Sequence, residues 1–381
     1  MKVLYFLTHV TNSGGMEHIV IDKINYLANH GFHVSLAYFG TYDDDSFFPI
    51  DEKVKRIPII QKKDIKSFRG KLVLAFGLVT KLKEIIRKVN PDVIVNANAN
   101  TISWILPFIQ RNIPKIVELH FSYDGLRLMN KELYSNNKVK AFANNMIRSF
   151  FYPLYSKCIL LTEIDKKKWG LKNGLVIPNF TSLRVHKRSN LGSKRAICVG
   201  RLDYVKNIDL LIGSWKIVTD RYPDWHLDVW GNGPLKDELQ EKINRLKLTK
   251  NVKLCGVTNN LANIYPDYSL FVLPSRYEGF PLVLVEAMNF GLPCIGFDIS
   301  GNLAVIQDRK NGIIVKERSK EKLADSICEL LSSNKMLELY SKNAVASIQK
   351  FEKENVMQMW MKLFKTIVHD NYNRFNTSLW S

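Results

Sequence analysis

Short apolar runs alternate with longer amphipathic stretches along this chain, and that rhythm limits what it can fold into. Residues 3–7 read as a strand. The next stretch places Met16, Ile19, Val20, Ile24 and Leu27 on one helical face and stops at Gly31. Strand-like runs recur at 33–39, 92–96, 116–119, 158–161 and 175–177, with a helix expected over 71–88. A second series follows at 195–199, 227–230, 252–254, 270–273, 293–297 and 312–315. Such repetition implies an α/β protein whose parallel sheets are covered on both faces. Two series imply two doubly wound, Rossmann-like domains. Ligands are expected at the carboxyl ends of the strands, with the domains facing one another across a cleft.

Composition places the boundaries. Residues 1–180 form the expected N-terminal domain, the polar and basic stretch 181–194 a linker, and 195–352 the C-terminal domain. Residues 353–381 hold a last amphipathic helix, with Val356, Met359, Trp360, Leu363 and Phe364 on one side. A length of 381 residues with 46% hydrophobic content is ample for two cores. Five widely spaced cysteines, none in a Cys-x-x-Cys pair, read as buried thiols in a reducing compartment. The apolar run at the N-terminus is too short for a signal peptide, and no run is long enough to span a bilayer. The expected location is therefore cytoplasmic.

The net charge of +19 is uneven: residues 1–190 hold 29 Lys and Arg against 15 Asp and Glu, and residues 191–381 hold 26 against 21. An anionic membrane surface is the neighbour that such an excess suits, as a peripheral contact on the inner face. The stretch 62–71 concentrates it, with Lys62, Lys63, Lys66, Arg69 and Lys71 around Ile65 and Phe68; it reads either as a solvated loop or as a membrane patch. No recognition helix, zinc finger or RNP pattern accompanies the charge, so nucleic acid is not an expected partner.

Glu278 and Glu286 stand eight positions apart across a Gly-containing turn into an apolar helix. The strand over 270–273 puts Glu278 on a loop at its carboxyl end and Glu286 about one turn inside the helix. The amides of Gly279, Phe280 and Leu282 fall at that helix's N-terminus, where free N–H groups and the dipole attract an anion. Carboxylates that bind hydroxyls, on either side of an anion cradle, suit a nucleotide sugar. Arg201 and Lys206 follow another strand end and suit a diphosphate, although they also read as ordinary solvated cations. Gly14 and Gly15 form a turn that lets backbone approach a phosphate closely. Asp43-Asp44-Asp45 reads as a solvated loop, and no metal site is expected. Gly231-Asn232-Gly233 makes a turn, with Pro234 at a first helical position.

Four stretches in order carry a family resemblance: Gly14-Gly15-Met16-Glu17, Gly200-Arg201-Leu202-Asp203-Tyr204-Val205-Lys206-Asn207, Trp230-Gly231-Asn232-Gly233-Pro234, and Pro274-Ser275-Arg276-Tyr277-Glu278-Gly279-Phe280-Pro281 with Glu286. Together they resemble the GT4 family of retaining glycosyltransferases of GT-B fold, including those of bacterial polysaccharide and lipopolysaccharide synthesis. The resemblance implies transfer of a hexose from a nucleotide sugar, a UDP-sugar being the commonest donor, to a glycan or lipid-linked glycan acceptor. It implies no cofactor and no metal. Arg201 and Lys206 would neutralise the leaving diphosphate, Glu278 would orient the sugar and Glu286 would hold the ribose. His120, at the end of the 116–119 strand, would face the donor sugar, with His9 and His18 as lesser candidates and Glu118 in the core. It also implies that the last helix returns to the N-terminal domain. A nucleotide-sugar 2-epimerase of the same fold, a pyridoxal-phosphate phosphorylase and a non-catalytic basic binding protein are the alternatives.

Overall fold

The computed structural model describes residues 1–12, 14–59, 68–97, 101–133, 146, 148, 150–258 and 260–378. The basic stretch 62–71 lies outside them except for the backbone of its last four residues, which open a helix, Phe68–Val89. The chain divides into two compact units. The first comprises Met1–His120, Leu126–Pro178 and Glu354–Ser381, and the second Phe121–Gly125 and Asn179–Lys353.

The first unit is built on a seven-stranded, all-parallel sheet. Its strands are β1 (Lys2–Leu7), β2 (His33–Phe39), β3 (Lys55–Ile59), β4 (Val93–Asn96), β5 (Lys115–Leu119), β6 (Lys157–Leu160) and β7 (Gly174–Val176), in the order β3-β2-β1-β4-β5-β6-β7. β4 and β5 are buried throughout and β1 from Val3 to Leu7, as strands between two helical layers must be. β3 has no counterpart in the apolar pattern of the sequence. Its residues Lys55, Arg56 and Pro58 lack an apolar run, and it sits at the sheet edge, where a proline's missing donor is tolerated.

The second unit carries β8 (Arg195–Val199), β9 (His226–Trp230), β10 (Val252–Gly256), β11 (Leu270–Leu273), β12 (Cys294–Phe297) and β13 (Gly312–Val315), all parallel and ordered β10-β9-β8-β11-β12-β13. Its core gathers Trp215, Leu211, Val229, Ile295 and Ile327 between sheet and helices. Residues 181–194 are bonded into this unit instead of hanging free: Ser189 N donates to Phe290 O at 2.9 Å and Asn190 N to Pro266 O at 2.8 Å.

The final helix, Lys353–Ser378, belongs from Glu354 onward to the first unit. Val356, Met357, Trp360 and Phe364 are buried there, Phe364 lies 6.1 Å from the ring of Phe32, and Asn371 bonds to the Asn112 carbonyl at 2.8 Å. Among the described residues no helix is long and apolar enough to cross a membrane.

Candidate active site

In the second sheet the strand order reverses between β8 and β11, and both motif loops leave from these two neighbouring strands. Outside such a reversal the connections diverge to opposite faces and leave a crevice. The loop after β8, residues 200–207, is pressed against the loop after β9. A side chain at Gly231 would put its Cβ 1.9 Å from Gly200 O, and one at Gly233 would lie 2.4 Å from Leu202 O. Leu202 N donates to Asn232 O at 3.0 Å and Leu235 N to Leu202 O at 3.1 Å, so these glycines are needed for the close approach. The following helix starts at Lys236, which leaves Pro234 in the turn before it and not at a first helical position.

The loop after β8 is also tied to the loop after β11. Asn207, in the left-handed region at φ 55°, donates from Nδ2 to Pro274 O at 3.1 Å, and Arg276 N donates to Val205 O at 2.8 Å. Lys206 runs its stem over Gly200, whose absent Cβ would stand 3.2 Å from it. Its Nζ ends 2.6 Å from Glu278 Oε1, which also accepts from Ser275 Oγ at 2.7 Å. Burial opposes the Lys206 charge, but the charge and hydrogen bond of Glu278, with Asp203, outweigh it and raise its pKa. Arg201 is largely exposed, its Nε 3.6 Å from Asp203 Oδ2. The cations and carboxylates therefore interleave here.

Gly279 and Phe280 lead into the helix Leu282–Asn289, whose N-cap residue is Pro281 and whose first turn has no side-chain cap. Phe280 is anchored edge-on against Phe351, ring centroids 5.2 Å apart. Glu286, in the second turn, is buried, and its Oε2 accepts from Tyr265 OH at 3.2 Å. Burial pushes its pKa up to about 7 against the opposing hydrogen bond from Tyr265. Thus Arg201, Lys206, Glu278, Gly279, Phe280, Leu282 and Glu286 belong to loops and a helix at the carboxyl ends of the two central strands of the second unit.

His120, Gly14 and Gly15 belong to the first unit. Gly14 is the N-cap of the Gly15–Asn29 helix, and the Glu17 carboxylate folds back over it, 2.3 Å from where a Cβ would stand. Asn12 Nδ2 holds that carboxylate at 3.1 Å. A helix start that already carries its own carboxylate is a poorer phosphate cradle than the sequence alone suggests, and a better acceptor for a ligand hydroxyl. His120 follows β5 with its side chain 5% exposed and Nε2 3.2 Å from Glu118 Oε2. Glu118 in turn pairs with Lys23 from the Gly15–Asn29 helix. His9 Nδ1 lies 3.3 Å from Phe39 O, and His18 stacks on Phe48 at 4.5 Å. Asp44 accepts from Thr41 N at 2.9 Å, closing its own loop. Among the described residues no group of three metal-ligating side chains occurs.

Lys23 and Tyr265 were not singled out from sequence. Lys23 left a signal: it lies three residues after Val20 and four before Leu27, inside the apolar stripe of its helix. Tyr265 left none.

The comparisons agree with this architecture. The family described as Glycosyltransferase Family 4 matches residues 13–179, and Glycosyl transferases group 1 matches residues 179–346. An uncharacterised glycosyltransferase of Haemophilus influenzae is 27% identical, covering 94% of this chain and 98% of its own. The amylovoran biosynthesis glycosyltransferase AmsD of Erwinia amylovora is 26% identical with the same coverage. Among solved structures, sucrose-phosphate synthase of Thermosynechococcus elongatus superposes with a TM-score of 0.79 at 19% identity, over 97% of this chain and 99% of that one. HepE of Anabaena, solved with UDP-glucose, gives 0.74 at 19% identity over 96% of this chain and 100% of its own. Two family matches in tandem, on two all-parallel sheets of GT-B type, make this chain a member of the GT4-type glycosyltransferases.

Proposed function

We propose that the protein moves a hexose from a UDP-sugar, with retention of anomeric configuration, to a glycan or lipid-linked glycan acceptor in cell-surface polysaccharide synthesis. The observation that carries this reading is the juxtaposition of Lys206 with Glu278 beside the uncapped start of the Leu282–Asn289 helix. In that arrangement Arg201, Lys206 and the amides of Gly279, Phe280 and Leu282 receive the diphosphate, Glu286 receives the ribose hydroxyls, and Glu278 orients the sugar. UDP is favoured because HepE, a fold neighbour, was solved with UDP-glucose. A polysaccharide product is favoured by the role in AmsD's name.

The reaction breaks the bond between C1 and the phosphate oxygen and forms one between C1 and the acceptor oxygen. The acceptor's proton passes to the departing phosphate, on the same face. Arg201 and Lys206 offset the charge that develops on the leaving group, which is the work a metal does elsewhere. We assign His120 to a hydroxyl of the donor sugar, and the Gly14-Gly15 turn with Glu17 to a hydroxyl of the acceptor.

We also place the protein peripherally on the inner membrane face. Phe108, Phe150 and Leu154 are exposed, Phe108 and Phe150 both pack edge-on against Phe151, and Arg111 stands 5.7 Å over Phe108. Aromatic side chains beside cations suit the interface of an anionic leaflet.

Purified protein incubated with UDP-hexoses decides the main reading. Release of UDP, with transfer of the sugar to a glycan lipid in its original anomeric form, supports it. A C2-epimerised nucleotide sugar without UDP release, or no turnover of any donor, overturns it. Equal sedimentation with neutral and anionic vesicles, or with neither, overturns the membrane placement.

A further inference from the structure

Lys23 and Glu118 are each about 2% exposed and form an ion pair in the core of the first unit. Lys23 Nζ also lies 3.9 Å from the ring centroid of Trp360, on the last helix, and 5.8 Å from that of Tyr5. A buried ion pair of this kind is rarely the cheapest way to fill a core. Taking two charges out of water is costly, and apolar residues of similar volume often do as well or better. The position of Lys23 in an otherwise apolar stripe makes the alternative easy to picture: a leucine there would continue the face formed by Val20, Ile24 and Leu27. Something other than stability is the better account of the pair.

Its neighbour supplies one. Glu118 Oε2 faces both Lys23 Nζ and His120 Nε2, the latter at 3.2 Å. Burial opposes the Glu118 charge, but Lys23 and His120 together outweigh it and hold its pKa below the usual value. An ionised carboxylate beside an imidazole favours a proton on the nearer ring nitrogen, which leaves the farther one as an acceptor. Among the described residues, both ring nitrogens of His120, Glu118 Oε1 and the Tyr5 hydroxyl are buried without an aligned hydrogen bond, so Nε2 meets Glu118 as a close charge contact at 3.2 Å. Unpaired buried polar groups are costly, so four such atoms in one cluster call for a purpose.

We propose that Lys23 and Glu118 are positioning residues for His120: they hold its proton on Nε2 and present Nδ1 as a hydrogen-bond acceptor for a hydroxyl of the transferred sugar. The inference rests on the reading of His120 as a donor-sugar contact. Lys23 keeps Glu118 ionised, Glu118 fixes the tautomer, and the flat face of Trp360 holds the Lys23 ammonium where both can act.

The test replaces both charges at once, because Lys23→Met alone leaves a buried carboxylate unpaired and endangers folding. Lys23→Met/Glu118→Gln should melt within a few degrees of wild type. Its turnover should fall about tenfold or more while KM for the UDP-sugar stays within about twofold, the signature of a contact made in the transition state. In nitrogen-15 spectra of histidine-labelled protein, with His120 assigned by its loss in His120→Asn, wild type should show Nε2 protonated and Nδ1 bare, and the double variant should lose that preference. Wild-type turnover in a folded double variant, or a wild-type ring protonated on Nδ1, overturns the proposal. The spectrum of the wild type decides this even if no donor is turned over, which separates failure of the relay from failure of the transferase reading.

Discussion

Lys206 Nζ stands 2.6 Å from Glu278 Oε1, which joins the proposed diphosphate clamp to the proposed sugar ligand. The two side chains are 72 residues apart and act as one electrical unit. Part of the lysine's charge is already neutralised before any phosphate competes for it.

This coupling has a measurable consequence. Glu278→Ala should abolish sugar transfer, yet tighten binding of free UDP a few-fold, on the order of 1 kcal/mol, by releasing Lys206. Titration calorimetry with UDP reads it. Unchanged or weaker UDP binding would show that the pair is not a competitor for the phosphate.

Arg201→Ala and Lys206→Ala should each lower turnover about a hundredfold, roughly 2.7 kcal/mol of transition-state stabilisation, with the thermal midpoint little changed for the exposed Arg201. On the proposed reading these cations take the place of a metal, and steady-state rates should persist in EDTA. Wild-type rates in either variant, or activity lost to EDTA and restored by manganese, would remove the clamp.

The buried carboxyl of Glu286 predicts a pH effect. Its pKa is about 7 in the folded protein against an ordinary 4.5. Between those values the folded protein keeps a proton that the unfolded chain has lost. The stabilising contribution is thus complete below pH 4.5 and lost as pH rises through about 7. Glu286→Gln should therefore melt higher than wild type at pH 8 and near wild type at pH 4.5, while binding UDP more weakly because an acceptor for the ribose is lost. Melting curves that shift in parallel across this range would contradict the assignment.

Gly231→Ala should destabilise the second unit by about 2 kcal/mol or more and depress turnover. Its φ of +146° is strained for alanine, and the new Cβ would strike Gly200 O, displacing the loop that carries Arg201 and Lys206. Gly170→Ala is the control, since φ is +61° there but the space is open and the position lies away from the motif loops; it should cost about 1 kcal/mol and leave turnover unchanged. Chemical denaturation with parallel rate measurements compares them.

Local pattern determined most of the fold. Runs such as 3–7 and 270–273 are apolar because their strands are covered on both faces, and the motif loops were legible because glycines and cations follow those runs directly. β3 escaped because an edge strand covered by less of the core does not need an apolar run, and Lys55, Arg56 and Pro58 hide it. The GT4 likeness was also legible, since its motifs are short and contiguous. Two relations were decided by tertiary structure alone. The Lys206–Glu278 contact depends on β8 lying next to β11, an adjacency that no local period encodes. Lys23 reaches Glu118 because β5 and the Gly15–Asn29 helix share a core across 95 residues of chain. Periodicity records which face of an element is buried. Which charged group it meets there is set by sheet order, and sheet order is settled by the packing of the whole unit.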